Sequence, residues 1–307
     1  KTAYEIASCL VGSEMCIRDR GVGFNESGDV FGSTANNNPT FFGGLPATVY
    51  GGQRGKSAQM IADSPRFYPI TPNIRQVDAF NAYTAGCGHA FATSAGFPKA
   101  WRDRRAFICG PTGNLLGMYD IRHKDSGYEA NNAFSFMASA DDWFSPVVAE
   151  VGPDGNLWVA DWYNFIIQHN PTPNKGRAGY DAKIGQGNAH INPNRDRQHG
   201  RIYRVVHRGH APKQPTLKAT TDLISALGHD NLFWRLTAQR LLVEQQRTDA
   251  VPALQAKLKT GGHAALHSLW ALEGLGKLDR ETHRTCLLYT SDAADDTPCV
   301  DLGGRRI

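Results

Sequence analysis

The chain has 307 residues, 41% of them apolar and 20% charged, with 32 Gly, 16 Pro, 6 Cys and a formal net charge of +4. That length supports one large domain or two, and the apolar fraction excludes a disordered chain. No uninterrupted apolar run approaches the ~20 residues that cross a bilayer, and the 33 basic residues are scattered rather than gathered into a stripe, which speaks against nucleic acid as a partner.

Residues 1–20 start without Met and have neither a basic n-region nor a continuous apolar h-region, so they do not read as a signal peptide. From Thr285 the chain abandons the helical pattern that precedes it. Both ends, 1–20 and 285–307, resemble translated sequencing-adapter read-through and are read as artefactual tails outside the fold. They hold Cys9, Cys16, Cys286 and Cys299, so the part expected to fold keeps Cys87 and Cys109, with 28 basic residues against 22 acidic. No CxxC or CxxCH occurs, and cysteine spacing therefore points to neither a metal nor a haem. A bridge between Cys87 and Cys109 in an oxidising compartment and a pair of buried thiols both remain open.

From Gly21 onward, three segments share an apolar stretch, a turn ending in Gly and a short strand: Gly23 to Phe31, Phe107 to Leu116, and Val151 to Val159. Their turn glycines, Gly28, Gly113 and Gly155, lie 85 and 42 residues apart, close to two units and one. A period near 42 with short strands and Gly turns is what a four-stranded propeller blade requires. Pro153-Asp-Gly155 combines a fixed φ, an Asx-type side-chain bond and a position that tolerates positive φ, which together reverse the chain. A further unit is expected near residue 197, where Gly200 to Val206 alternates cleanly, and another near residue 70, although Pro65, Pro69 and Pro72 blur its signal.

Residues 21–207 are thus expected to form a partial β-propeller of about four blades, followed by a linker over 208–218. Over 219–284 the period changes to 3.6, with apolar stripes at Leu223, Ile224 and Leu227; Phe233, Leu236, Leu241 and Leu242; Val251, Leu254 and Leu258; and Leu266, Leu269, Trp270 and Leu272. Asn231 and Asp249 are read as N-caps and Gly261-Gly262 as a helix stop. Trp234 to Leu242 is echoed 30 positions later by Ala264 to Leu272, as in the start of a stacked helical array. The expected class is mainly β, a partial propeller followed by α-helical HEAT-like repeats.

Three stretches carry a resemblance: Asp142-Trp-Phe-Ser-Pro-Val147, then Glu150 through Asn170 with its Gly-Pro-Asp-Gly-Asn-Leu-Trp-Val-Ala-Asp-Trp-Tyr-Asn core, then Gly187 through Arg204. They resemble the membrane-bound dehydrogenase family of Planctomycetes and Verrucomicrobia, whose members are also described as haem-binding CxxCH proteins. Phe97-Pro-Lys-Ala-Trp-Arg102 is in turn similar to a blade of quinone-dependent sugar dehydrogenases. The resemblance covers nearly all of 21–284 and implies an NHL-like or glucose/sorbosone-dehydrogenase-like propeller, HEAT-type helices and a downstream c-type cytochrome domain. It implies oxidation of a sugar or polyol with pyrroloquinoline quinone and Ca²⁺, electron transfer to a cytochrome module, and an extracytoplasmic site of action, periplasmic or membrane-associated. This chain departs from the pattern in lacking CxxCH, so haem c belongs only to a domain absent from it.

In a propeller the innermost strand of each blade lines the channel. Pro146 to Val151 would be such a strand, with Asp141, Asp142, Trp143 and Phe144 at the channel mouth. Asp142 is a candidate general base, or orients a sugar hydroxyl; alternatively it caps a turn while Trp143 packs between blades. His89, on the inner strand of the preceding blade, is a candidate base for hydride abstraction, with a structural histidine as the other reading. Residues 169–199 form a long polar loop whose His169, Asn188, His190, Asn194, Arg195, Asp196 and His199 suggest a hydrogen-bonded lid. The candidate cofactor-binding set is Trp143, Asp161, Tyr163, Asn188, His190, Asn194, Arg195, Asp196 and His199. The histidine spacings fit neither HxxxH nor HExxH, but Asp and Asn oxygens suit Ca²⁺. Two other functions stand beside the dehydrogenase: a non-catalytic carbohydrate- or protein-binding module, and a Ca²⁺-dependent lactonase-like propeller.

Overall fold

The computed structural model describes residues 19–34, 37–44, 59–71, 82–165, 175, 198–209 and 213–284, with the backbone alone at 19 and 20. They form a mainly β protein with helices in its C-terminal part. Three antiparallel sheets come first. One holds β1 (Asp19–Phe24), β2 (Val30–Thr34) and β3 (Phe41–Phe42); the second β4 (Cys87–Phe91), β5 (Arg105–Gly110), β6 (Leu115–Lys124) and β7 (Gly127–Ala138). The third holds β8 (Pro146–Val151), β9 (Leu157–Asp161) and β10 (Arg201–Val205), and in each sheet the strands are neighbours in chain order.

The period of two along β5 organises the core. Ala106 and Ile108 enter one apolar layer with Phe31, Tyr83, Phe91 and Tyr119, while Phe107 and Cys109 enter another with Met118, Leu157 and Val159. The four-stranded sheet is therefore covered on both faces, by the first sheet through Phe31 and by the third through Leu157 and Val159. Full burial of each such side chain contributes about 1.5–3 kcal/mol. The first strands of the sheets also meet, β4 lying against β1 and against β8. Glycine permits this approach: a Cβ on Gly88, at φ +58, would come 2.8 Å from the Ala149 nitrogen, and one on Gly21 would come 2.9 Å from the Gly88 nitrogen.

The turn glycines are not equivalent, which corrects the spacing argument. Gly28 and Gly155, both at positive φ, turn the chain between the first and second strands of their sheets. Gly113 instead ends a 3₁₀ turn between the second and third strands of its sheet, and the left-handed residue there is Asn114. The first connection of that sheet, 92–104, has its left-handed residue at Asp103. The gap of 85 thus joins two different kinds of turn. The strand near 197 is β10, the third strand of the third sheet, with Arg201 opposite Asp161, rather than part of a further unit. Around residue 70, the described residues 59–71 pair through isolated bridges, Met60 with Phe41, Ala62 with Ala130 and Arg66 with Ala82. Pro65 and Pro69 bring no N–H to a ladder there. β1 begins inside the segment set aside as a tail, since Asp19 pairs with Thr34.

The chain divides into two compact units, one reaching Arg208 and the other running from Gly209 with the short segments Thr93–Gly96 and Pro153–Gly155. The second carries α1 (Thr220–Ala226), α2 (Leu232–Glu244), α3 (Val251–Leu258) and α4 (Gly262–Gly274). Asn231 caps α2, its side-chain oxygen accepting from Phe233 N at 3.0 Å, a contact worth about 1 kcal/mol. The buried face of α2 is Leu232, Arg235, Ala238 and Leu242. Phe233 and Leu236, expected inside, are 39% and 44% exposed. The inward face runs through an arginine, which a stripe of apolar residues cannot reveal. Asp249 accepts from Thr220 Oγ1 at 2.8 Å instead of capping a helix, and Gly261 is the N-cap of α4. No described helix is long and apolar enough to cross a membrane.

Candidate functional site

Asp161 ends β9 with its side chain fully buried. One carboxylate oxygen accepts from the Ser145 and Tyr163 backbone nitrogens at 2.7 and 2.8 Å; the other accepts from Arg201 Nε at 2.7 Å. A single carboxylate thus ties the chain before β8, the chain after β9 and the first residue of β10. Tyr163 pays for its place with φ +52, a left-handed conformation uncommon outside glycine. Its ring lies 4.1 Å from the Arg201 guanidinium carbon, within cation–π range.

Arg201 also donates from Nη2 to Asp141 Oδ2 at 3.0 Å. The other Asp141 oxygen accepts from Trp143 N at 3.0 Å, which sets the tryptophan beside the ion pair. Trp143 lies 5.5 Å from Tyr163 and 5.8 Å from Phe165, and Tyr163 meets His199 edge-on at 6.4 Å. Burial works to lower the Arg201 pKa; the bonds to Asp161 and Asp141 outweigh it and raise the pKa above its ordinary value. The result is an arginine whose side chain is 36% exposed, paired with two carboxylates and placed over the Tyr163 ring.

Of the expected residues, the structure brings Trp143, Asp161, Tyr163 and His199 together. Asp141, expected at the channel mouth, and Arg201, to which the sequence assigned no role, complete the cluster. Their signal was faint: Arg201 opens an alternating strand, and Asp141 is the first of two adjacent aspartates. Asp142 shows a different contact, its backbone oxygen receiving Asn114 Nδ2 at 3.4 Å. His89 is 3% exposed in β4, its Nε2 2.9 Å from Thr40 Oγ1 and its ring against Phe31 and Phe91. Burial pushes its pKa down to about 3, so the ring is neutral at physiological pH. No contact among the described residues joins it to the Asp161 cluster. Asn188, His190, Asn194, Arg195 and Asp196 lie outside the described residues.

The donor set decides what this cluster suits. Both carboxylates are engaged by Arg201 and by backbone N–H groups, and among the described residues no group of three or more His, Cys, Asp or Glu could hold a metal. Arg201 is in turn neutralised by two acids. The residues of this cluster therefore fit neither Ca²⁺ nor a quinone bearing several carboxylates. What the cluster offers is the partly exposed guanidinium of Arg201 beside the half-buried rings of Trp143 and Tyr163, hydrogen-bonding and apolar surface together.

Fold and cluster together define a stacked antiparallel β protein with an aromatic-flanked carboxylate–arginine site at the end of its last sheet. The chain belongs to the family described as domain of unknown function DUF7133, whose profile matches residues 14–209. The match ends beside the boundary at Arg208. The chain matches no curated protein and no solved structure.

Proposed function

We propose that the chain is the sugar- or polyol-binding part of an extracytoplasmic, propeller-built, dehydrogenase-like protein. The observation that carries this reading is the Trp143–Tyr163 ring pair beside the Asp141–Arg201–Asp161 knot, whose chemistry suits a ring with many hydroxyls. In this reading the three sheets are blades of a partial propeller, supported by their face-to-face packing and by the meeting of their first strands. The helices are HEAT-like repeats. The resemblance of Glu150 through Asn170 supports oxidation through a quinone-type cofactor with a cytochrome module as electron acceptor. That cofactor would be held by residues other than this cluster, and its chemistry would be removal of a hydride or its equivalent from an alcohol carbon. Within the described residues, Asp141 and Arg201 orient hydroxyls and the rings exclude water from one face of the sugar.

A non-catalytic sugar-binding module is the second reading, favoured by the near-complete burial of neutral His89. Titrating the purified chain calorimetrically with hexoses and polyols tests the binding common to both. The expected result is saturable binding that weakens at least ~10-fold in Trp143→Ala, a loss of about 1.4 kcal/mol. Heat changes absent for every sugar and polyol would overturn the proposal. Dye reduction on adding pyrroloquinoline quinone and Ca²⁺ separates the readings: turnover supports the dehydrogenase, and binding without turnover supports the module.

A further inference from the structure

β4 and β5 are antiparallel neighbours, and Cys87 is the direct Cα partner of Cys109. Both thiols are free and buried, 8% and 0% exposed, and belong to the same apolar layer. Opposed residues in an antiparallel pair have Cα atoms about 4.5–5.5 Å apart, inside the ~4.4–6.8 Å window of protein disulfides. Nothing bulky intrudes, because the residue after Cys87 is Gly88, where a Cβ would come 2.9 Å from the Cys109 sulfur. Gly88 holds φ +58 within the irregularity that separates Cys87 from Ala90 in the ladder.

We infer that Cys87 and Cys109 are a cross-strand disulfide site, closed when the chain folds in contact with a small disulfide oxidant. Two S–H bonds break and one S–S bond forms. The two electrons and two protons pass to the oxidant, whose own disulfide is reduced to two thiols. Burial and the neighbouring Cys87 thiol push the Cys109 thiol up, so the folded chain offers little thiolate. The same burial keeps an oxidant away from the sulfurs. The bridge therefore closes during folding, before β4 and β5 are covered, and closes slowly once they are.

The inference is independent of any ligand, and the full chain tests it. Trypsin places Cys87 alone in the peptide 76–99 and Cys109 alone in 106–122, whereas Cys9 and Cys16 share 2–18 and Cys286 and Cys299 share 285–305. Reduced, denatured chain is refolded in a buffer of glutathione and glutathione disulfide, free thiols are alkylated, and the digest is read by mass spectrometry. The expected product is 76–99 joined to 106–122. The same buffer added to chain refolded under reducing conditions should form it at least ~10-fold more slowly. Oxidation should raise the thermal midpoint by several degrees. Complete alkylation of both cysteines after oxidative refolding, linkage of either to a terminal cysteine, or a lowered midpoint would each overturn the inference.

Discussion

Two arginines, one in each unit, show how differently the same guanidinium can be employed. Arg201 lies partly open in the β unit, bound by Asp161 and Asp141 and faced by Tyr163. Arg235, on α2 of the helical unit, is 1% exposed and donates to the His229 carbonyl and to His267 Nε2. Because arginine can only donate, His267 must accept at Nε2 and carry its proton on Nδ1, which faces Gln239 Oε1 at 2.8 Å. Burial lowers the Arg235 pKa to about 10; burial, then Arg235 and His263, push His267 down to about 3. One arginine is neutralised at a surface where hydroxyls could compete for its edges. The other is locked under neutral acceptors and serves the packing of helices.

The sharpest way to break that contrast is to remove each arginine. Arg235→Ala should cost about 3–5 kcal/mol, from the cavity and the acceptors it strands. Urea titration followed by helical circular dichroism measures this, and a chain that tolerates the change would place Arg235 among dispensable residues. Arg235→Met, of similar volume, should recover most of the loss if packing rather than charge is what matters.

Acid comes next in size. Folded His267 stays neutral down to about pH 3, whereas an unfolded imidazole takes up its proton near pH ~6.5. Between these values only the unfolded chain binds that proton, so the stability present above pH ~6.5 falls by about 1.4 kcal/mol per pH unit below it. Buried His89 adds a slope of the same sign in the β unit. Urea midpoints measured across mildly acidic pH should therefore flatten by one proton's share in His267→Gln; an unchanged slope would mean that the imidazole is charged in place.

Arg201→Ala should cost less, about 1–2 kcal/mol, because the Ser145 and Tyr163 nitrogens still satisfy part of Asp161 while the exposed part of the pair contributes little. If its loss equals that of Arg235→Ala, the two arginines are both structural. The smallest stability effect belongs to Trp143→Ala, under about 1 kcal/mol by denaturation for a half-buried ring outside the core clusters. It is the variant that best separates binding from folding.

Local chemistry was legible where one turn decided it. Pro153-Asp-Gly155 lies between β8 and β9 as its residues demand, and Asn231 caps α2. Position in a sheet was not legible. β10 pairs with β9 across a separation of 40 residues at Arg201 and Asp161, and alternation marks a strand without saying which neighbour it has. Charge hid the rest. Arg235 interrupts an apolar stripe, and the pairing of Arg201 with Asp161 and Asp141 appears only where three chain segments converge. Trp143 and Tyr163 were found because aromatic rings beside aspartates are conspicuous even in one dimension.

Asp161 and Arg201 are also the first cross-strand partners of the β9–β10 ladder. The chain leaves the sheet at one and returns at the other, so their ion pair is a clasp at the neck of everything between them. Asp161 is also opposite Pro146 of β8, so one buried carboxylate at the end of the sheet sets the register of all three strands at once.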